Sequence, residues 1–164
     1  MMTETDITLI PLKQILTPDC SLYSAREDSK KRVFELIARV TTKKLPHIDA
    51  KIVFDGLIAR EKLGSTAVGH GVAMPHTRVA NLTQPVAAFI HLQDPIDFDA
   101  LDEQPVDLFF GILVPAEENG QHLRLLSQMA KIFQDEDNRE HCRQAGNSQN
   151  LYSTIIKMSE NLFL

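Results

Sequence analysis

This sequence predicts an α/β fold, with helices packed around a small central sheet, and three features carry that prediction. Val106 to Val114 is a near-continuous apolar run that stops at Pro115, the pattern of a central strand covered on both faces. Segments before and after it place apolar residues at helical spacing instead. The chain has 164 residues, 43% hydrophobic and 24% charged, so it can build a real core and is too apolar for disorder.

Taken in order, residues 1 to 27 read as an irregular arm with a short helical turn near Leu12 to Leu16. A helix follows from Asp28 or Ser29, either of which can cap free N–H groups, and Val33, Leu36, Ile37 and Val40 share one of its faces. A second helix starts near Asp49, buries Val53, Phe54, Leu57 and Ile58, and meets Gly64 where a left-handed cap is wanted. Val72 to Met74 is a short strand ended by Pro75, and Pro85 to Leu92 is a second, rich in β-branched and aromatic residues. The acidic segment DPIDFDALDEQP connects it to the 106–114 strand. A third helix begins near Asn119 or Gly120, with His122, Leu126, Met129 and Phe133 on one stripe. One or two further helices close the chain, facing Leu151, Ile155 and Ile156 inward. No repeat or linker divides the sequence, so residues 1–164 are read as a single domain.

Charge and composition exclude several functions. With 22 acidic against 17 basic residues the net charge is -5, which argues against nucleic acid as the main partner. Cys20 and Cys142 stand in no metal or redox spacing and read as reduced thiols. The N-terminus lacks the basic and apolar regions of a secretory signal, and no apolar stretch is long enough to span a membrane, so a soluble cytoplasmic protein is expected. Neither a nucleotide-binding glycine loop nor a zinc-protease motif is present, and no cofactor is expected.

Chemistry concentrates in REKLGSTAVGHGVAMPHT, Arg60 to Thr77. Pro75 fixes its own backbone angle and drives Met74 to an extended conformation, so His76 is set rigidly at a strand end. A neutral imidazole carries one nucleophilic nitrogen, and a carbonyl can pin the other N–H and fix the tautomer. Transfer of a phosphoryl group needs little beyond alignment and compensation of charge on the phosphoryl oxygens. Arg60, with its planar fork, suits that compensation, and Ser65 and Thr66 offer neutral hydroxyl donors. His122, in the first turn of the third helix, is a second candidate for a neutral N–H donor. Each residue also has a plainer reading. Arg60 can cap carbonyls at a helix end, His122 can be a satisfied half-buried histidine, and Ser65 and Thr66 can bond nearby backbone. A zinc site from His70, His76 and His122 lacks a carboxylate or thiolate at a usual spacing. His47, His91 and His141 join no constellation.

The segment Arg60-Glu61-Lys62-Leu63-Gly64-Ser65-Thr66, followed by Gly69-His70-Gly71-Val72-Ala73-Met74-Pro75-His76, is very similar to the phosphorylation-site segment of phosphotransferase enzyme IIA proteins of the mannitol/fructose type. Asp94 to Ala100, Gln104 to Leu108, Leu113 to Ala116 and His122-Leu123 resemble the nitrogen-regulatory branch in the same order. The resemblance implies a mixed β-sheet with helices on both sides. It implies His76 as the histidine phosphorylated on its tele nitrogen, Arg60 as the site arginine and His122 as the supporting histidine. The implied donor is an HPr-like phosphocarrier charged from phosphoenolpyruvate. The implied output is regulation of nitrogen, carbon or potassium use through target proteins that read the phosphorylation state. Two positions depart from the pattern. Thr77 follows His76 where the family generally has a very small residue, and His70 stands where the nitrogen branch usually has Asn.

The leading reading is therefore a regulatory phosphocarrier, a stoichiometric component of phosphoryl transfer rather than an independent catalyst. One rival is a free-standing fructose/mannitol-type transport IIA that passes phosphate to a IIB domain. Another is a binding module whose His76 is no longer phosphorylated, against which the retention of Arg60 and His122 beside His76 argues. A metal-dependent hydrolase lacks a ligand set.

Overall fold

The computed structural model describes residues 9–117 and 120–162. Its strands are β1 (Ser21–Ala25), β2 (Ala67–Gly69), β3 (Val72–Ala73), β4 (His76–Val79), β5 (Val86–Ile96) and β6 (Val106–Pro115). Its helices are α1 (Lys30–Thr42), α2 (Ala50–Lys62), α3 (Gln121–Gln134), α4 (Glu136–Arg143) and α5 (Ser148–Asn161). The strands form one sheet in the order β1-β5-β6-β3-β2, with β4 continuing along β6 beyond β3. β5 and β6 are antiparallel, as are β2 and β3, whereas β1 on β5 and β3 and β4 on β6 are parallel. The sheet is mixed, as expected.

β6 is the central strand that its apolar run predicts. Successive residues face opposite layers. Phe110 meets Phe89 and Phe133 of α3 on one side, while Phe109 meets Phe98 on the other. Gly111 lies on the α1 side, where an added Cβ would come within 2.9 Å of Ile37. Helices thus cover both faces. Gly111→Ala forces Ile37 off its rotamer in a layer with no slack. Urea unfolding should show a loss of about 1–3 kcal/mol, the usual cost of overpacking.

Local signals placed the first two helices correctly. The Ser29 hydroxyl accepts from Arg32 N–H at 3.2 Å and the Asp49 carboxylate from Lys51 N–H at 2.9 Å, so Ser29, not Asp28, is the first cap. Helix α2 ends at Lys62 with Leu63 as its cap, and Gly64 follows at φ 154°, a positive angle but not a left-handed helical one.

Three expectations need correction. The 1–27 arm is not irregular throughout. Short 3-10 turns occupy Leu12–Gln14 and Pro18–Cys20, and β1 then pairs with Phe89 to Leu92, while residues 1–8 lie outside the described part. An edge strand whose partner is 67 or 68 residues away in sequence leaves little local trace. Strand β5 continues past Leu92 to Ile96, because the register shifts between His91, opposite Leu108, and Ile96, opposite Val106, so that β5 carries three more residues than β6 over this stretch. Helix α3 starts after Gly120, at φ 100°, where it was expected; Asn119, the other cap considered, lies outside the described residues. Its buried stripe is Leu125, Met129, Ile132 and Phe133, with Leu126 only half-buried. Gln128 is buried on the same helix, and its side-chain amide bonds both the N–H and the carbonyl of Ile10 at 2.8 Å, tying the arm to α3.

Candidate functional site

His76 is the first residue of β4, and Pro75 before it donates no hydrogen bond but accepts one from Ile112 N–H at 2.9 Å. The peptide on either side is therefore fixed against β6. Within that frame, His76 Nδ1 lies 2.9 Å from the Met74 carbonyl oxygen. A carbonyl can only accept, so Nδ1 carries the proton in the neutral ring and the lone pair sits on Nε2. The ring is half-buried. Burial pushes its pKa below the ordinary 6.5, and interaction with Arg60 and with His122 pushes the same way; the Met74 bond and the charge of Glu61 oppose them. The neutral, Nδ1–H form therefore prevails at neutral pH.

Arg60 comes from the last turn of α2. Its Nη1 donates to the Gly64 carbonyl at 2.8 Å, anchoring the fork at the helix end while its charge acts on His76. His122 is the second residue of α3, half-buried, and its charge acts on His76 as well. Arg60 at a helix C-terminus and His122 at a helix N-terminus thus both act electrostatically on the imidazole at the strand end.

Ser65 and Thr66 are engaged inside the fold. The Ser65 hydroxyl donates to the Phe98 carbonyl at 3.2 Å and accepts from Ala67 N–H at 3.2 Å. The Thr66 hydroxyl donates to Glu61 at 2.6 Å. A hydroxyl has one hydrogen to give, and in this arrangement both are given to protein oxygens.

Glu61 was not singled out by the sequence. It is 9% exposed and accepts from Thr66 N–H at 3.1 and 3.2 Å and from the Thr66 hydroxyl. Lys30 of α1 pairs with it at 3.3 Å, bonds Asp99 at the same distance and lies 4.3 Å above the Phe98 ring. The only local signal was its place beside Arg60.

The two departures from the family pattern have local explanations. Thr77 packs on α2 at Gly56, where an added Cβ would overlap the Thr77 hydroxyl, so a glycine on the facing helix makes room for the larger residue. His70 and Gly71 are the two loop residues between β2 and β3, with φ of 58° and 79°. Both angles are positive, as in a type I′ turn, which favours Asn-Gly and tolerates His at the first position. The turn lies against Leu108, whereas His76 pairs with Ile112 farther along β6. There His70 N–H donates to Asp102 at 2.9 Å and its carbonyl accepts from Arg143 at 2.7 Å, while Arg143 also grips Asp107. His70 is thus held in a polar cluster of its own rather than with His76 and His122. His91 is buried, stacked on Tyr23 at 4.4 Å, with Nδ1 accepting from Ser24 N–H; His47 and His141 are exposed.

Residues 14–158 match the family described as phosphoenolpyruvate-dependent sugar phosphotransferase system, EIIA 2. A nitrogen regulatory protein of Pseudomonas aeruginosa is 46% identical over 148 residues, covering 90% of this chain and 96% of that protein. The crystal structure of the nitrogen regulatory protein IIA-Ntr from Neisseria meningitidis superposes with a TM-score of 0.81 at 36% identity, over 87% of this chain and 97% of that one. The mannitol IIA of Escherichia coli, at 18% identity and a TM-score of 0.62 over 80% of this chain and 92% of its own, shares the fold. The chain belongs to the EIIA 2 family of the phosphoenolpyruvate-dependent phosphotransferase system and falls with its nitrogen-regulatory members.

Proposed function

We propose that this chain is a regulatory phosphocarrier, cytoplasmic and without a cofactor, that accepts a phosphoryl group from an HPr-like carrier on Nε2 of His76. The observation that carries the proposal is the 2.9 Å contact between Nδ1 and the Met74 carbonyl, which leaves Nε2 as the nucleophile. In the step, the Nε2 lone pair attacks phosphorus as the donor's N–P bond breaks and its electron pair returns to the donor imidazole. Nδ1–H stays on Met74 O, so no proton has to move first. Arg60 and His122 offset charge on the migrating oxygens. Ser65 and Thr66 shape the loop rather than touch the phosphoryl group, because their hydroxyl hydrogens already have acceptors. The signal is then read by target proteins that distinguish the phosphorylated from the free form, in keeping with nitrogen-regulatory relatives. No helix among the described residues is long and apolar enough to cross a membrane.

Intact-protein mass spectrometry after incubation with phosphoenolpyruvate, the first phosphotransferase enzyme and an HPr-like carrier tests this reading. One acid-labile phosphoryl group is expected; none, from a carrier shown to be charged, would overturn it. Adding fructose- and mannitol-type IIB domains tests the transport rival. The phosphoryl group should stay on the chain, and rapid passage to a IIB domain would favour transport.

A further inference from the structure

We propose that Glu61 is a positioning residue that holds His76 in its Nδ1–H form through an unbroken run of hydrogen bonds across Thr66 and Met74. The run starts at the ring, where His76 Nδ1–H donates to the Met74 carbonyl at 2.9 Å. Met74 N–H donates to the Thr66 carbonyl, also at 2.9 Å. The Thr66 N–H and hydroxyl both donate to the Glu61 carboxylate, the hydroxyl at 2.6 Å. Every donor points away from His76 and towards Glu61. Two residues, Met74 and Thr66, are thus each held at both their N–H and their carbonyl between the imidazole and a buried negative charge. Glu61 fixes where Thr66 lies, the Thr66 carbonyl fixes Met74, and the Met74 carbonyl is thereby held where it can accept from Nδ1–H. The same charge also acts on the ring directly, where it favours the imidazolium.

A buried carboxylate is costly unless it is paired, and Lys30 supplies the pair at 3.3 Å. Lys30 is itself held by Asp99 and the face of Phe98, so α1 and the β5–β6 connection both brace Glu61. The arrangement also joins the two ends of the site. Glu61 follows Arg60 on α2, so its grip on Thr66 fixes how the helix end bearing the guanidinium meets the strands that lead to His76. Orienting a reactive imidazole through a partner's partner is a recurrent device at histidine sites.

The experiment reads the His76 ring nitrogens by long-range proton–nitrogen NMR on the unphosphorylated full chain, for wild type, Glu61→Gln, Thr66→Val and Thr66→Ser. Wild type should show a protonated Nδ1 and a pyridine-like Nε2. Glu61→Gln should give averaged tautomers and a lower titration midpoint, since a negative charge that favours the imidazolium is gone. Thr66→Val, which removes the shortest link, should move towards that state, and Thr66→Ser should restore the wild-type pattern. Phosphoryl uptake by Glu61→Gln should slow about tenfold, as for other partners that orient a histidine. Wild-type nitrogen shifts and midpoint in folded Glu61→Gln would overturn the proposal; if that variant fails to fold, an unmoved Thr66→Val would do so. The uptake measurement rests on the acceptor role proposed for His76, whereas the ring-nitrogen measurement does not. Failure of wild type to take up phosphate would therefore sink that role and leave Glu61 still tested.

Discussion

His76→Ala should take up no phosphoryl group under conditions in which the wild type takes up one, and it should do so as a folded protein. The side chain opens β4 but the strand does not depend on it, because His76 to Val79 pair with Ile112 to Pro115 through backbone groups. What is lost is one hydrogen bond to Met74 O, with a net worth of about 1 kcal/mol. Circular dichroism and a melting curve check the fold beside the mass spectrum. A second signature comes from pH. Burial lowers the His76 pKa from 6.5, so below that value the unfolded chain takes up a proton that the folded chain resists. Stability contributed in this way is complete above 6.5 and is lost as pH falls from there towards the lowered folded value. The variant should lose part of that acid-side decline, though not all, since burial also lowers the pKa of His91. Uptake by wild type should fall over the same range, as the imidazolium has no lone pair on Nε2 to attack with. Persistent phosphorylation of His76→Ala would mean that another histidine is the acceptor.

What the sequence revealed follows the range of the interactions involved. Ser29 and Asp49 act within one helical turn, and both caps were legible. Strand β6 was legible because burial on both faces leaves an uninterrupted apolar run. Strand β1 was not, since Ser21–Ala25 is a strand only through its parallel pairing with β5. Helix α4 has no apolar stripe to betray it: Cys142 and Arg139 are its buried residues, and Arg139 is buried because it donates to the Phe133 and Gln134 carbonyls that end α3. The site divides in the same way. Pro-His at the end of a predicted strand marks His76 locally, and Arg60 and His122 entered through spaced motifs. Glu61 was invisible because its burial depends on Lys30, 31 residues earlier on another helix. The fit of Thr77 to Gly56 depends likewise on which helix faces β4. Non-local partners decide which polar residues are interior, and a single sequence does not display them.

Arg60→Ala should slow phosphoryl uptake by about 10²-fold, the scale seen when one preorganised donor to developing charge is removed, while docking of the phosphocarrier changes little. The guanidinium is fixed at the end of α2 by its bond to Gly64 O, and its charge reaches the His76 ring. A group so placed offsets charge that appears on the phosphoryl oxygens only as they arrive, which lowers the barrier rather than the energy of the encounter complex. Single-turnover kinetics at saturating carrier separate the two. The rate at saturation should fall, and the concentration giving half that rate should hold. Arg60→Lys should recover part of the loss, since it restores a charge but not the planar fork. The titration of His76 gives an independent check: Arg60 helps to hold its pKa down, so the midpoint should rise in Arg60→Ala and return towards wild type in Arg60→Lys. Stability should fall by only about 1 kcal/mol, the net worth of the lost bond to the Gly64 carbonyl. Equal losses in docking and rate would make Arg60 part of the carrier's landing surface. A lost rate with an unmoved midpoint would place its guanidinium away from the ring during transfer, and charge compensation would then fall to His122 alone.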